Sequence, residues 1–153
     1  MRIMINMNFI GYGKNTIEMV DEFEQYIGFS LPKDYRQFLL QYNGGKTQER
    51  YYTFYIVELN ENIPLNVLYG LNTEIKQVNL KVWHDEYKED LLENSIIIGS
   101  DPGAGMIVLI NDDEDGGIYY WDDSWHFEQS DEENNIYKIA DSFQDFFDNL
   151  IDI

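Results

Sequence analysis

One stretch of the chain, residues 96–123, limits the possible folds more than any other. It contains two apolar runs separated by a turn rich in glycine and proline, and these are followed by an acidic turn and an aromatic run. Short runs of β-branched and aromatic residues between clusters of Gly, Pro, Asn and Asp are typical of strands joined by hairpins. The stretch therefore predicts three neighbouring strands at the centre of a sheet, at residues 96–98, 106–110 and 118–121.

Segments with helical periodicity precede and follow this sheet in the sequence. Apolar residues recur at helical spacing in two N-terminal segments, which end at Gly28 and at residues 43–45. Asn15 and Glu18 have the spacing of a capping box at the start of the first helix. The other predicted elements are a helix at residues 73–86, strands at residues 53–59, 63–71 and 136–140, and a closing helix capped by Asp141 or Ser142.

This order of elements predicts an α+β fold. Helices first, strands in the middle and a helix last are typical of a mainly antiparallel sheet with helices packed on it. We expect about five to six strands with two N-terminal helices, a middle helix and a C-terminal helix. The 153 residues fit one domain, with residues 1–14 as either an edge strand or an arm.

The composition is that expected of a cytoplasmic protein. The chain has no cysteine, which excludes a disulfide framework, a thiolate zinc site and a thiol nucleophile. Its N-terminal residues are too polar for a signal peptide, and no apolar run reaches the length of a membrane span. We therefore expect a cytoplasmic localisation and no membrane partner.

Negative charge is the most informative property of the composition. Twenty-nine acidic residues against ten basic ones give a formal net charge of −19, which disfavours direct binding of nucleic acid. The charge is unevenly distributed, because fourteen Asp and Glu but no Lys or Arg lie between Glu89 and Tyr137. Such a surface suits either solubility or a basic protein partner, and the sequence leaves both interpretations open.

Motifs that resemble metal, phosphate and catalytic sites all lack essential residues. Residues 111–122 imitate an EF-hand calcium loop, but they begin with Asn, end with Asp and lie between predicted strands. Residues 99–105 lack the Gly-Lys-Ser/Thr ending of a phosphate-binding loop. His84 and His126 are too few for an imidazole metal centre, and no Gly-x-Ser-x-Gly elbow occurs. We predict no catalytic residue, cofactor or metal, with calcium binding kept as an alternative.

Aromatic residues between the acidic turns are better candidates for a binding role. Alternate side chains of a strand face opposite ways, so Tyr119 and Trp121 share one face and Tyr120 lies on the other. Together with Trp125 they could provide aromatic anchors ringed by charge, which suit a protein interface. The alternative is that they pack under the third helix as part of the core.

The second helix resembles the signature of the SUKH superfamily, also called SMI/KNR-type. Residues 31–45 contain Leu-Pro, an acidic residue and Tyr, then Phe-Leu, and close on Asn-Gly-Gly. Residues 98–101 with Gly105, and residues 118–122, are similar to the middle block of the family, and residues 139–146 resemble its last helix. The chain is accordingly identified as a single SUKH-like domain over residues 1–153, in which the acidic insert at residues 112–115 is less typical.

The resemblance implies an α+β fold without catalysis and a role in protein binding. Bacterial members are immunity proteins that neutralise secreted polymorphic toxins, often nucleases, whereas the fungal branch provides signalling and scaffolding partners. We therefore predict an immunity protein (antitoxin) whose partner is a cognate toxin with a basic nuclease domain. A regulatory scaffold related to fungal regulators of cell-wall synthesis is the alternative. The predicted partner-binding residues are Asp112, Asp113, Asp115, Tyr120, Asp122, Asp123 and Trp125.

Overall fold

The computed structural model describes residues 9–48 and 51–152. Residues 1–8 of the predicted edge strand or arm lie outside this range, and the strand described within residues 1–14 is β1. No helix among the described residues is long and apolar enough to cross a bilayer. In chain order the described elements are β1 (Phe9–Gly11), α1 (Ile17–Ile27), α2 (Lys33–Gln41), β2 (Gly45–Thr47), β3 (Tyr52–Ile56), β4 (Glu61–Pro64), β5 (Val67–Leu68), a 3₁₀ turn (Lys76–Val78), α3 (Leu80–Tyr87), β6 (Ser95–Ser100), β7 (Met106–Ile110), β8 (Gly117–Trp121), β9 (Ile136–Ala140), α4 (Phe143–Asp148) and β10 (Ile151–Asp152).

The strands form two antiparallel sheets. The larger sheet has seven strands in the order β1-β2-β5-β6-β7-β8-β9, and the smaller has three in the order β10-β3-β4. The α+β class, the mainly antiparallel sheet and the placement of the helices are confirmed. The large sheet exceeds the five to six strands expected, because strands as short as β2 and β5, with three and two residues, have too little sequence pattern to be recognised.

Strand β7 lies inside the large sheet, between β6 and β8, and is buried along its whole length. The two faces of its neighbour β8 are covered by different elements. On one face the Tyr120 ring lies 6.0 Å from Phe54 of the smaller sheet, and on the other the Trp121 ring lies 5.8 Å from Tyr87 of α3. A sheet covered on both faces favours continuous apolar runs, which explains the sequence of residues 96–121.

The first helix begins differently from the predicted capping box. Thr16 caps α1, and its hydroxyl accepts a hydrogen bond from the backbone N–H of Met19 at 3.1 Å. Asn15 instead donates from Nδ2 to Asn43 Oδ1 at 2.5 Å. The capping-box prediction was therefore wrong, because a contact distant in sequence uses the Asn15 side chain. The predicted stop at Gly28 is confirmed, with a left-handed φ of 86°.

Asn43 connects the end of α2 to the loop that follows β5. It is 5% exposed and has a left-handed φ of 57°. Its Oδ1 accepts a hydrogen bond from Leu71 N at 2.7 Å, and its Nδ2 donates to Leu71 O at 2.9 Å. A Cβ on the adjacent Gly44 would lie 2.5 Å from the carbonyl oxygen of Leu68, so only glycine fits there. The Asn-Gly-Gly run therefore has a structural role.

Candidate partner-binding surface

Strand β8 divides the predicted binding residues into two groups. The acidic turn (residues 111–116) precedes the strand, and the β8–β9 loop (residues 122–135) follows it. Because β8 has five residues, at ~3.4 Å per residue the two groups lie about 17 Å apart. The two groups therefore lie at opposite ends of the strand.

Tyr120 is part of the core, which corrects its prediction as a binding anchor. Its side chain is 1% exposed, and its hydroxyl donates to Asp101 Oδ2 at 2.6 Å. Its ring packs against Phe54 and Phe127, with centroid separations of 6.0 and 6.1 Å. Burial, followed by the hydrogen bond to Asp101, raises the pKa of Tyr120 above its ordinary value. Tyr120 thus holds the loop at residues 101–105 against the sheet and presents no surface to a partner.

Asp122 is also buried, and its carboxylate organises the β8–β9 loop. Its Oδ1 accepts a hydrogen bond from His126 N, and its Oδ2 accepts one from Phe127 N, both at 2.9 Å. The Asp122 N–H donates to Asn135 O at 2.7 Å and so closes the other end of the loop. At 0% exposure the carboxylate cannot meet a partner, which corrects the sequence-based prediction for this residue.

Removal of the Asp122 carboxylate should destabilise the protein. We expect Asp122→Ala to lower the free energy of unfolding by about 2–3 kcal/mol, because two charge-assisted hydrogen bonds in a buried site are lost. Urea denaturation followed by circular dichroism measures the change. Asp123→Ala, at the exposed next position, is the matched control and should change stability by less than about 0.5 kcal/mol. Equal stability of the two variants would contradict this role of Asp122.

Trp125 is exposed and held in a backbone conformation that is rare for its residue type. Its side chain is 52% exposed and its φ is 55°. Every other non-glycine residue with positive φ in the described part of the chain is Asn, which tolerates this conformation. The Trp125 N–H donates to Asp122 O at 3.1 Å, so the turn built on Asp122 stabilises the strained backbone. Such strain is concentrated at functional sites, and Trp is enriched among interface hot spots.

Exposed carboxylates precede and follow Trp125 in the sequence of the β8–β9 loop. Asp131 Oδ1 accepts backbone hydrogen bonds from Asn134 and Glu133 at 2.8 and 2.9 Å. Both bonds lower the pKa of Asp131, and the bond from Asn134 lowers it more than the bond from Glu133. They therefore favour the charged form of Asp131. The loop contains no Lys or Arg, so it combines an exposed aromatic ring with fixed negative charge. Its exposed acidic residues are Asp123, Glu128, Asp131, Glu132 and Glu133.

The acidic turn is a second anionic surface without an aromatic residue. Asp112, Asp113 and Asp115 are all exposed. The turn is closed by a hydrogen bond from Asp115 N to Asp112 Oδ2 at 3.0 Å. Lys138, in the neighbouring strand β9, pairs with Asp141 at 2.6 Å, and none of the ion pairs among the described residues involves the four carboxylates of the turn. The turn therefore offers charge to a partner but no anchor.

The geometry of residues 111–122 does not match a calcium loop. In an EF-hand, side chains at the first, third, fifth and twelfth positions surround one ion. Here Asn111 Nδ2 donates to Ser30 O at 2.5 Å, whereas Asp122 lies beyond β8 and binds the amides of its own loop. The two ends of the motif are too far apart to share an ion. No group of three potential metal-binding side chains occurs among residues 9–48 and 51–152.

Comparison with known proteins relates the chain to one family and to a prophage protein. The model of the SMI1/KNR4 family (SUKH-1) matches residues 14–149, which include all four helices described above and the β8–β9 loop. The SPbeta prophage-derived uncharacterized protein YokK of Bacillus subtilis (strain 168) is 29% identical over 153 aligned residues. The alignment covers 90% of this chain and 76% of that protein.

Proposed function

The chain belongs to the SMI1/KNR4 family (SUKH-1), and on that premise we propose that it is a non-catalytic immunity protein of the cytoplasm. In this proposal it binds a cognate polymorphic toxin and covers the surface through which the toxin acts. The observation that carries the proposal is Trp125, which is exposed in an anionic loop and held at positive φ by the Asp122 turn.

The charge of the β8–β9 loop supports a nuclease domain as the toxin. A nuclease must attract phosphates and therefore carries Lys and Arg around its active site. The loop presents five exposed carboxylates and neither Lys nor Arg. It can occupy such a basic surface in place of the nucleic acid, and no chemical step by the inhibitor is needed.

Different residues contribute to different stages of binding in this proposal. Asp123 and the other loop carboxylates attract the toxin and orient it, because complementary charge mainly accelerates encounter and excludes wrong partners. Trp125 then becomes buried in the complex and slows dissociation. Asp112, Asp113 and Asp115 lie at the far end of β8 and add long-range attraction without direct contact.

Salt should slow the association of the two proteins. Between 0.01 and 0.15 M ionic strength the screening length shortens from about 30 to about 8 Å, so we expect the association rate constant to fall at least about tenfold. Stopped-flow tryptophan fluorescence measures this rate. The double variant Asp123→Asn/Glu128→Gln should associate more slowly at low salt and show a weaker salt dependence. A wild-type rate that is indifferent to salt would contradict electrostatic steering.

Growth of a bacterial host that expresses the toxin encoded by the neighbouring gene tests the function directly. Co-expression of the wild-type chain should restore growth, whereas co-expression of Trp125→Ala should not. Tyr26→Ala removes another exposed aromatic side chain, on α1, and is the matched control that should still restore growth. Failure of the wild-type chain to restore growth, together with binding of several partners at modest affinity, would favour the regulatory scaffold instead.

A further inference from the structure

A shallow apolar groove lies beside the β8–β9 loop, on the Trp121 face of the large sheet. Its floor is formed by β7 and β8 through Val108, Ile110 and Trp121, and its walls include Leu92 and Ile136. The groove has a volume of about 190 Å³, below the roughly 300 Å³ at which pockets for small molecules begin. Its size therefore suits one or two side chains of another protein.

The walls of the groove expose apolar side chains to solvent. Leu92, in the loop after α3, is 65% exposed, and Ile136, in β9, is 39% exposed. Both line the same groove above a buried floor. Exposed apolar side chains above an apolar floor suit contact with another protein. An apolar side chain placed between them would remove both from water.

Acidic side chains lie around the groove. Asp90 is one of its lining residues. The ring of Tyr87 contacts Trp121 of the groove floor. Burial raises the pKa of Tyr87, and the nearby charges of Glu86, Asp123 and Asp90 raise it further. The groove is therefore set in negative potential, which a segment bearing Lys or Arg would complement.

Strand β9, one wall of the groove, is the last strand of the large sheet, and no strand of the described residues is hydrogen-bonded to its outer edge. Asp122 N donates to Asn135 O, so these two residues form a hydrogen-bonded pair. Along an antiparallel ladder such pairs alternate with non-hydrogen-bonded pairs. The register then places Ile136 and Lys138 in non-hydrogen-bonded pairs, so their N–H and C=O groups point away from β8. No backbone group of the described residues pairs with this edge. Such an edge can accept a strand from another chain.

We propose that the partner presents an extended basic segment to this groove. The segment pairs with the outer edge of β9, and one of its apolar side chains extends across Ile136 toward Leu92 over the mouth of the groove. Its Lys or Arg side chains face Asp90 and Asp123. Main-chain hydrogen bonds supply affinity in this arrangement, and alternate side chains supply specificity. The inference rests on the proposed function, since it specifies how the toxin of that function is held.

A synthetic peptide that alternates lysine and leucine tests the groove without the toxin. We expect the peptide to shift the amide NMR resonances of Leu92, Ile136 and Lys138, and to slow hydrogen exchange at the Ile136 and Lys138 amides. A peptide that alternates glutamate and leucine is the matched control and should leave these signals unchanged. No binding, binding at another surface, or equal binding of both peptides would overturn the inference.

A charge substitution in the groove wall provides a second readout. Leu92→Lys should raise the dissociation constant of the lysine–leucine peptide about tenfold, because it places a like charge against the peptide. Val57→Lys, at another exposed apolar position, is the control and should bind as the wild type does. Wild-type binding by Leu92→Lys would overturn the inference. Peptide binding without rescue from the toxin would instead contradict the proposed function, so the two failures are distinguishable.

Discussion

Replacement of Trp125 by alanine is expected to weaken binding of the cognate toxin by roughly 30- to 900-fold, or about 2–4 kcal/mol. The side chain is the large exposed aromatic group of the β8–β9 loop, so it can bury more apolar area than its neighbours. The surrounding carboxylates are exposed and screened, and each exposed ion pair contributes at most about 1 kcal/mol. Isothermal titration of the toxin domain with the wild-type and variant proteins measures the difference.

Two further variants separate the Trp125 side chain from its backbone conformation. Trp125→Asn introduces a residue suited to positive φ, so an equal loss of affinity in this variant assigns the effect to the indole ring. Tyr26→Ala, which removes an exposed aromatic ring on α1, should leave the affinity unchanged. If Trp125→Ala folds normally and binds the toxin with wild-type affinity, the β8–β9 loop is not the interface.

The centre of the large sheet could be predicted from sequence because its strands are long and apolar. Where the strands are short, the local sequence pattern was insufficient to predict their boundaries. Residues 63–71 were predicted as one strand, but the structure divides them between β4 and β5, which belong to different sheets. Pro64 ends β4, and a residue without an N–H cannot continue the ladder. Likewise α3 begins at Leu80, later than predicted, because the Asn79 side chain accepts a hydrogen bond from Lys81 N and caps it there.

The candidate site could be predicted only in part, because burial depends on contacts distant in sequence. Trp125 and Asp123 were predicted to bind the partner, with packing of the aromatic residues in the core as the alternative, and the structure exposes both. Tyr120 is buried against Phe54 and Phe127, and its hydroxyl is satisfied by Asp101, nineteen positions earlier in the chain. The burial of Asp122 had a local signal, since Asp commonly accepts hydrogen bonds from amides a few residues later in a turn. The groove at Leu92 and Ile136 joins segments that no local pattern connects.

The residues of the family signature in α2 stabilise the fold rather than form the proposed binding surface. Asp34 is 7% exposed, and its carboxylate accepts hydrogen bonds from Tyr35 N at 2.8 Å and from Gln144 N of α4 at 2.9 Å. Asn43 closes the same helix onto Leu71. Both residues are remote in sequence from the β8–β9 loop. The signature therefore identifies the family through its architecture, and in the proposed function the choice of toxin depends on other residues.

Asn43→Ala is expected to lower the free energy of unfolding by about 4 kcal/mol. The substitution leaves the buried N–H and C=O of Leu71 without their side-chain partners, and each loss contributes about 1–2 kcal/mol. It also forces alanine to adopt a φ of 57°, which adds roughly 1 kcal/mol. Because domains are stable by only about 5–15 kcal/mol, this loss would remove a large share of the free energy of unfolding. The urea midpoint, at constant m-value, measures the change.

Asn72 provides the matched control for this experiment, since it has a similar φ of 52° but an exposed side chain. Asn72→Ala should therefore show the backbone strain alone, about 1 kcal/mol, without the loss of buried hydrogen bonds. If Asn43→Ala is destabilised no more than Asn72→Ala, the two Leu71 hydrogen bonds contribute nothing to the fold. The Asn-Gly-Gly run would then stabilise the protein through backbone geometry alone.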